Sequence, residues 1–187
     1  MIQIYTGNGK GKTTASLGLA MRSVGHGNNV RIIQFMKGCT YTGELISAAK
    51  LGIEIYQFGR TCPHAAVIKS GYMSCQKCGS CWIGKDNMTE LDRKKIQWAW
   101  ELSQKTVKEG KHQLVILDEI INVFNYDLLE LDDVVRWLKA LPKNVEVVLT
   151  GRNAPEALVE IADLVSEIKQ VKHPYEQGVE ARRGIEY

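Results

Sequence analysis

Glycines, lysines and threonines are concentrated in one short segment near the start of the chain. The segment consists of Thr6, Gly7, Asn8, Gly9, Lys10, Gly11, Lys12, Thr13 and Thr14. Glycines let successive backbone N–H groups turn towards one anion, and a helix that begins directly afterwards would add the partial positive charge of its N-terminus. In this pattern Lys12 brings a positive charge to the phosphates, and the hydroxyl of Thr13 holds Mg²⁺. The segment therefore predicts a binding site for the phosphates of a nucleotide.

This glycine loop (residues 6–14) departs from the general pattern G-x-x-x-x-G-K-[ST], because Thr6 stands where the first glycine is expected. Counted from Gly7, the loop reads G-x-x-x-G-K-T. Lys10 adds a second cation, which would either help to hold a highly charged triphosphate or remain a solvated surface lysine. A purely structural glycine turn is the alternative for the whole loop, but an apolar strand before it and a helix after it favour phosphate binding.

A pair of carboxylates is predicted to supply the other half of a nucleotide site. Asp118 and Glu119 directly follow the apolar run of residues 114–117, and ligands of open sheets bind at the carboxyl ends of strands. One of the two side chains would hold Mg²⁺ directly or through water. The sequence alone does not distinguish which of them is the direct ligand.

Apolar runs and amphipathic segments alternate along the chain, as expected for one α/β domain over residues 1–187. We predict a P-loop NTPase-like (RecA-like) architecture, in which helices flank a mostly parallel sheet and connect its strands by right-handed crossovers. On the longest predicted helix, residues 88–109, Leu91, Trp98 and Leu102 share a face that is predicted to be buried. The predicted strands are residues 2–5, 30–35, 53–58, 114–117, 145–149 and 164–168.

Composition narrows the classes of protein to which the chain can belong. The chain has 187 residues, of which 44% are hydrophobic, and a net charge of only +3. This size suits a single core, and so weak a charge does not indicate a nucleic-acid partner. No apolar run approaches the roughly 20 residues that cross a bilayer, and the start of the chain does not resemble a secretion leader. We therefore expect a cytoplasmic protein that acts without a nucleic acid or a membrane.

Residues 59–86 interrupt the alternation of strands and helices and are predicted to form an inserted Cys-rich metal-binding loop. Its cysteines are Cys62, Cys75, Cys78 and Cys81. The last three are spaced C-x-x-C-x-x-C, and four thiolates suit tetrahedral Zn²⁺ or a [4Fe–4S] cluster, with His64 as a substitute ligand for zinc. Reduced cysteines or a local disulfide are the alternative. Cys39 lies outside this set and is expected to be an ordinary small residue.

Short segments spread over most of the chain match one known family. They read YTGNGKGKTT (5–14), LAMRSVGHG (19–27), QFMKG (34–38), LDEI (117–120), LTGRNAP (149–155), VKHPY (171–175) and GIEY (184–187). On these segments the chain resembles the P-loop corrinoid adenosyltransferases of cobalamin biosynthesis. The shortened glycine loop is itself typical of that family, whereas the cysteine segment lies outside the match.

The resemblance implies a reaction in which the Co(I) of a reduced corrinoid attacks C5′ of ATP and expels triphosphate. Such an enzyme would act as a homodimer on two small molecules, ATP and the corrinoid. A reductase, either a flavoprotein or a ferredoxin-like protein, would be its partner for producing Co(I). No water needs to be activated in this reaction, so the glycine loop would bind the whole triphosphate as a leaving group.

The resemblance also implies roles for particular residues. Thr13 and Glu119 would be the Mg²⁺ ligands, and together with Lys12 they form the implied catalytic set. Arg152 would reach the nucleotide or the corrinoid, with a surface ion pair as the alternative. The implied ATP-binding residues are Gly7, Asn8, Gly9, Lys10, Gly11, Lys12, Thr13, Thr14, Asp118 and Arg152.

One departure from the family bears on the acceptor. The family usually carries an aromatic Thr-Trp-Glu-Thr-like segment after the third strand, which closes over the corrinoid, and this chain has the cysteine segment instead. Trp82 would either replace the aromatic lid or simply pack against the loop. The cysteine segment would be a structural clip or would deliver an electron to Co(II). The alternative functions are a P-loop ATPase coupled to a metal-loop or corrinoid-handling partner, and a corrinoid-binding chaperone without turnover.

Overall fold

The computed structural model describes residues 1–38 and 42–187, so Cys39 lies outside the described residues. Strands and helices alternate along the chain, as the sequence predicts. The strands are β1 Ile2–Thr6, β2 Val30–Phe35, β3 Glu54–Phe58, β4 Leu114–Asp118, β5 Glu146–Thr150 and β6 Leu164–Glu167. The α-helices are α1 Lys12–Gly25, α2 Gly43–Leu51, α3 Ala65–Lys69, α4 Glu90–Glu109, α5 Ile120–Phe124, α6 Leu131–Lys139 and α7 Glu156–Ile161.

The strands form one sheet in the order β3-β2-β4-β5-β1-β6, and every pairing among the described strands is parallel. The predicted parallel α/β architecture is thereby confirmed. Because the strands run in one direction, the glycine loop after β1, Asp118 at the end of β4 and Thr150 at the end of β5 lie at the same edge of the sheet. Since β5 separates β1 from β4, Thr150 stands between the loop and Asp118.

Strand β4 shows why apolar runs in the sequence predict the strands of this sheet. Val115 and Leu117 face the cluster that contains Ile96 of α4, whereas Leu114 and Ile116 face the cluster formed with α1 and α2. All residues of β4 are buried. A strand that is covered on both faces reads as a continuous apolar run rather than as an alternating one.

The prediction of which face of α4 is buried is largely wrong. Leu91 and Trp98 are 54% and 50% exposed. The buried face is made by Ile96, Ala99, Trp100, Ser103, Thr106 and Val107. This face is hard to predict from large apolar residues because it includes small and polar side chains. Ser103 and Thr106 can be buried because their hydroxyls donate to backbone carbonyls one turn earlier. Within the described residues, neither α4 nor any other helix is long and apolar enough to cross a membrane.

Residues 59–86 are more regular than predicted, since they include α3 and the beginning of a short 3₁₀ turn, Lys85–Asn87. Arg60, near the start of this cysteine segment, fastens the segment to the start of α4. The Arg60 guanidinium donates to Asp92 Oδ2 at 2.6 Å and to the carbonyl of Asn87 at 2.5 Å. The same carboxylate accepts the N–H of Thr89 at 2.8 Å and so completes the N-terminal cap of α4.

Candidate active site

The glycine loop leaves β1 and packs directly against the chain that follows β6. The N–H of Gly9 donates to the carbonyl of Ile168 at 2.8 Å. A Cβ on Gly7 would lie 2.4 Å from that carbonyl oxygen, and Gly7 has a φ of 104°. Both the close approach and the backbone conformation therefore require glycine at this position.

Lys12 lies at the start of α1 and turns its side chain back into the loop. Its Nζ donates to the carbonyls of Gly7 and Gly9 at 2.7 and 2.8 Å. Burial and the neighbouring guanidinium of Arg152 lower the pKa of Lys12. The loop thus concentrates one ammonium group and a helix N-terminus at a single point, which is the arrangement that binds phosphate.

Asp118 lies behind the loop, fully buried, at the centre of a hydrogen-bond network. The hydroxyls of Thr13 and Thr150 donate to its Oδ1 at 2.9 and 2.7 Å, and the amide of Gln34 donates to its Oδ2 at 3.0 Å. The hydroxyl of Thr13 therefore lies beside Asp118. The sequence alone could not distinguish whether Asp118 or Glu119 is the direct Mg²⁺ ligand.

Gln34 and Thr150 are site residues that sequence reasoning missed. Strand register aligns Gln34 of β2 with Asp118 of β4, so its amide reaches the carboxylate across the sheet. Gln34 could have been recognised from its position in the sequence. A polar residue inside the buried run of residues 30–35 needs a hydrogen-bond partner there. Thr150 also accepts the N–H of Glu119 at 2.9 Å and thereby orients the residue that follows β4.

Glu119 adopts a left-handed backbone conformation, with a φ of 63°, immediately before α5. A non-glycine residue held in this conformation is typical of functional sites. Burial, reinforced by the adjacent carboxylate of Asp118, raises the pKa of Glu119 to about 7. The cations of Lys37, Lys12 and Arg152 act in the opposite direction.

Lys37 is a further cation of the site that the sequence did not single out. Its Nζ donates to Glu44 Oε1 at 2.8 Å. Burial works to lower the pKa of Lys37, but the carboxylates of Asp118 and Glu44 outweigh it and raise the pKa. Lys37 is therefore a fixed positive charge in the cleft that Lys12 and Glu119 also line.

These side chains line a cleft of about 1000 Å³, which is at the upper end of the range for small-molecule sites. The structure brings together most of the predicted ATP-binding residues around it. The lining members are Asn8, Gly9, Lys10, Gly11, Lys12, Thr13, Thr14, Glu119 and Arg152. Another part of the lining comes from the C-terminal region, including His173, Tyr175 and residues 184–187.

Two smaller cavities lie beside the cleft and share Glu119 with it. One, of about 460 Å³, is bordered by Trp82, Tyr126 and Arg152, and the other measures about 300 Å³. Cys81 borders both of these cavities. The site therefore has a nucleotide-sized compartment and adjoining space for a second reactant.

Comparison with known proteins identifies the family. The family described as ATP:corrinoid adenosyltransferase BtuR/CobO/CobP matches residues 1–187. The chain belongs to this family. It is 35% identical over 188 residues to the corrinoid adenosyltransferase of a Sinorhizobium species, covering 100% of this chain and 80% of that protein. It is 34% identical over 187 residues to the corrinoid adenosyltransferase CobA of Salmonella typhimurium, covering 100% of this chain and 85% of that protein.

A further relative is the corrinoid adenosyltransferase of Escherichia coli strain K12, 34% identical over 187 residues, with 100% of this chain and 85% of the relative covered. These matches extend along the whole chain and confirm the resemblance drawn from the sequence segments. The glycine loop, the carboxylates after β4 and the cleft are therefore those of a corrinoid adenosyltransferase family member.

The structure of this family member does not bring the four predicted metal-binding thiols together. Cys62 is buried and Cys81 is half-buried, and both pack with Ala65 and Ile68 in a small apolar cluster. Cys75 and Cys78 are exposed. Among residues 1–38 and 42–187, no group of three or more His, Cys, Asp or Glu side chains is arranged to hold a metal ion. Hydrogen bonds from Ser80 lower the pKa of Cys78.

Proposed function

We propose that the protein transfers the 5′-deoxyadenosyl group of ATP to the Co(I) of a reduced corrinoid and releases triphosphate. The observation that carries this proposal is the cleft, which is lined by Lys12 and Thr13 of the glycine loop and by Glu119 after β4. The chain that forms it belongs to the corrinoid adenosyltransferase family. Cobalt supplies the electron pair of the new Co–C bond. The bond between C5′ and the phosphate oxygen breaks, and its electrons leave with triphosphate.

The protein's part in this reaction is to bind the leaving group and to stabilise its charge. The loop amides and the ammonium groups of Lys12 and Lys10 would face the phosphates, where they neutralise the charge that develops as C5′–O breaks. Lys37 and Arg152 border the same cleft and add to its positive potential. Because these groups are already positioned, little reorganisation is needed when the bond breaks.

Mg²⁺ is part of the proposal, and oxygen ligands suited to it are present. The hydroxyl of Thr13 and Oδ1 of Asp118 are 2.9 Å apart, a separation compatible with neighbouring ligands at about 2.0–2.1 Å from one ion. Glu119 faces the cleft from the adjacent position. We propose that Thr13 and Glu119 hold the ion, with Asp118 beside Thr13 as a direct or water-mediated ligand. The ion would neutralise charge on the triphosphate.

The products distinguish this function from the alternatives. Protein incubated with ATP, Mg²⁺ and a chemically reduced corrinoid should yield inorganic triphosphate and an adenosylated corrinoid in equal amounts. A P-loop ATPase that drives a partner would release ADP and phosphate whether or not the corrinoid is present. A corrinoid-binding chaperone would yield neither set of products, and either of these outcomes would contradict the proposal.

The metal site of the cysteine segment is a separate proposal that depends on the cysteine spacing. Clustered cysteines in this pattern bind Zn²⁺ or a [4Fe–4S] cluster in many proteins. In this chain, binding would have to draw the exposed Cys75 and Cys78 towards Cys62 and Cys81. Metal analysis and visible absorption of anaerobically purified protein test this idea. Zinc without iron would favour a structural clip over electron delivery, and absence of both metals would refute the proposal.

The proposals about partners follow from the family resemblance. We propose a homodimer in the cytoplasm, supplied with Co(I) corrinoid by a flavoprotein or ferredoxin-like reductase. Light scattering of the purified protein tests the dimer, because a mass near that of one chain, 21.0 kDa, would contradict it.

A further inference from the structure

The last residues of the chain fold over the nucleotide cleft. This C-terminal turn (residues 182–187) is closed by the N–H of Glu186, which donates to the carbonyl of Arg182 at 2.9 Å. The N–H of Gly184 donates to the backbone oxygen of Tyr187 at 2.6 Å. Most of the turn lines the cleft beside the glycine loop. It is therefore part of the wall that a bound triphosphate would face.

A carboxylate of this turn lies against a cation of the glycine loop. Lys10 Nζ donates to Glu186 Oε1 at 2.9 Å. Arg182 donates to the same carboxylate through its backbone N–H at 2.7 Å and through its guanidinium at 3.1 Å. Hydrogen bonds from Arg182, and then from Lys10, lower the pKa of Glu186 to about 2. Glu186 is thus a fixed negative charge beside Lys10 of the glycine loop, which is expected to bind phosphate.

The turn is tied at its other side to the cysteine segment. Tyr187 packs against the apolar cluster that contains Cys62 and Ile68. The Arg183 guanidinium donates to the carbonyl of Lys69, at the end of α3, at 3.1 Å. These contacts connect the glycine loop, through the turn, to the segment that borders the smaller cavities.

The turn also closes one of those cavities. The cavity of about 300 Å³ is bordered by Glu186 and Tyr187 of the turn and also by Ala181, Glu119 and Cys81. Any movement of the turn away from the loop would widen this space next to Glu119. Access to the cavity is therefore coupled to the contact between Glu186 and Lys10.

We propose that the C-terminal turn is a strap that Glu186 fastens to Lys10, and that a triphosphate displaces Glu186 from Lys10 and thereby loosens the turn. The reason is electrostatic, because a phosphate oxygen and a carboxylate that share one ammonium group repel each other at short distance. The cavity beside Glu119 would widen once nucleotide is bound, so that the acceptor enters after ATP. This inference rests on the proposed triphosphate site.

The first test measures the affinity of the whole protein for inorganic tripolyphosphate with Mg²⁺ by calorimetry. Glu186→Gln should bind the probe roughly two- to tenfold more tightly than the wild type, because the competing charge is removed. Most of this gain should be lost in a Lys10→Ala background, whereas a general charge effect would persist there. Glu109→Gln, at the far end of α4 and paired only with Lys105 among the described contacts, is the control that removes the same charge elsewhere.

Equal or weaker binding by Glu186→Gln would overturn the strap and leave the triphosphate site standing. A wild-type protein that binds no tripolyphosphate would overturn both. Amide hydrogen exchange supplies an independent measurement. Tripolyphosphate should speed exchange in residues 182–187, and exchange there should already be fast in Lys10→Ala. Slower exchange of these residues on binding would show that the turn closes rather than opens, and would refute the strap.

Discussion

Lys12 is the residue whose loss should harm the reaction most directly. Its ammonium group lies inside the glycine loop, bonded to the carbonyls of Gly7 and Gly9, at the point where the helix N-terminus adds its own positive charge. We expect Lys12→Ala to lower the rate of adenosyl transfer by about a hundredfold or more, on the scale of losing one preorganised electrostatic contact. The measurement is the release of triphosphate at saturating ATP and corrinoid.

The matched control for this variant is Lys143→Ala, because Lys143 is an exposed lysine in the connection before β5. It should leave the rate unchanged. A Lys12→Ala enzyme that folds normally and keeps the wild-type rate would contradict the role assigned to the glycine loop.

Asp118 gives a second prediction at the scale of single residues. Its carboxylate accepts hydrogen bonds from Thr13, Thr150 and Gln34, so an asparagine would direct an NH₂ group towards donors and would lose the negative charge. We expect Asp118→Asn to raise the Mg²⁺ concentration for half-maximal activity by about tenfold or more. A magnesium titration of the initial rate measures this, with Asp132→Asn on α6 as the control. An unchanged magnesium requirement would place the ion elsewhere.

At the scale of elements, the start of α4 depends on Asp92. This side chain caps the helix together with Thr89. It also accepts hydrogen bonds from the Nε and a terminal nitrogen of the Arg60 guanidinium, which fastens the cysteine segment to the helix. We expect Asp92→Asn to lower the free energy of unfolding by about 1–2 kcal/mol, the range for losing a helix cap and a partly exposed ion pair. Urea unfolding at neutral pH measures it, with Asp133→Asn on α6 as the control.

The same pair predicts a dependence on pH. Hydrogen bonds from Arg60 hold the pKa of Asp92 well below its usual range. A carboxyl group whose folded pKa is depressed adds stability that is fully present above its unfolded pKa of about 3.9 and is lost as the pH falls towards the folded pKa. The stability difference between wild type and Asp92→Asn should therefore be constant near neutral pH and shrink below about pH 4. A difference that persists unchanged into strong acid would contradict this account.

The elements also show which parts of the molecule could be predicted from sequence. The central strands β2, β4 and β5 were predictable because they are almost entirely buried and read as apolar runs. The glycine loop was predictable because its glycines and lysines lie next to one another in the chain. Gln34 and Thr150 were not, because they meet Asp118 through the register of three strands. The positions of the cysteine thiols likewise depend on how α3 packs, which no local spacing specifies.

At the scale of the whole molecule, the sheet order explains why distant segments form one site. Each strand delivers its carboxyl end to the same edge, so residues 8–14, 37, 119 and 150–152 line one cleft although helices separate them in sequence. The chain then returns over that edge, and its C-terminal turn completes the wall. Nucleotide binding should therefore be coupled to the stability of the whole fold rather than to one local element.

Thermal unfolding tests this coupling. A ligand that binds only the folded state stabilises it by about 2.7 kcal/mol at a hundred times its Kd. For a chain of 187 residues, each kcal/mol corresponds to about 2–4 °C, so MgATP at that concentration should raise the Tm by about 5–10 °C. Inorganic tripolyphosphate at a hundred times its own Kd should give a similar shift in Tm, because the loop is proposed to bind the triphosphate as a unit.

Lys12→Ala should remove most of the shift in Tm for both ligands at the same concentrations. A shift with adenosine but none with tripolyphosphate would mean that the base, and not the phosphates, is what the cleft recognises.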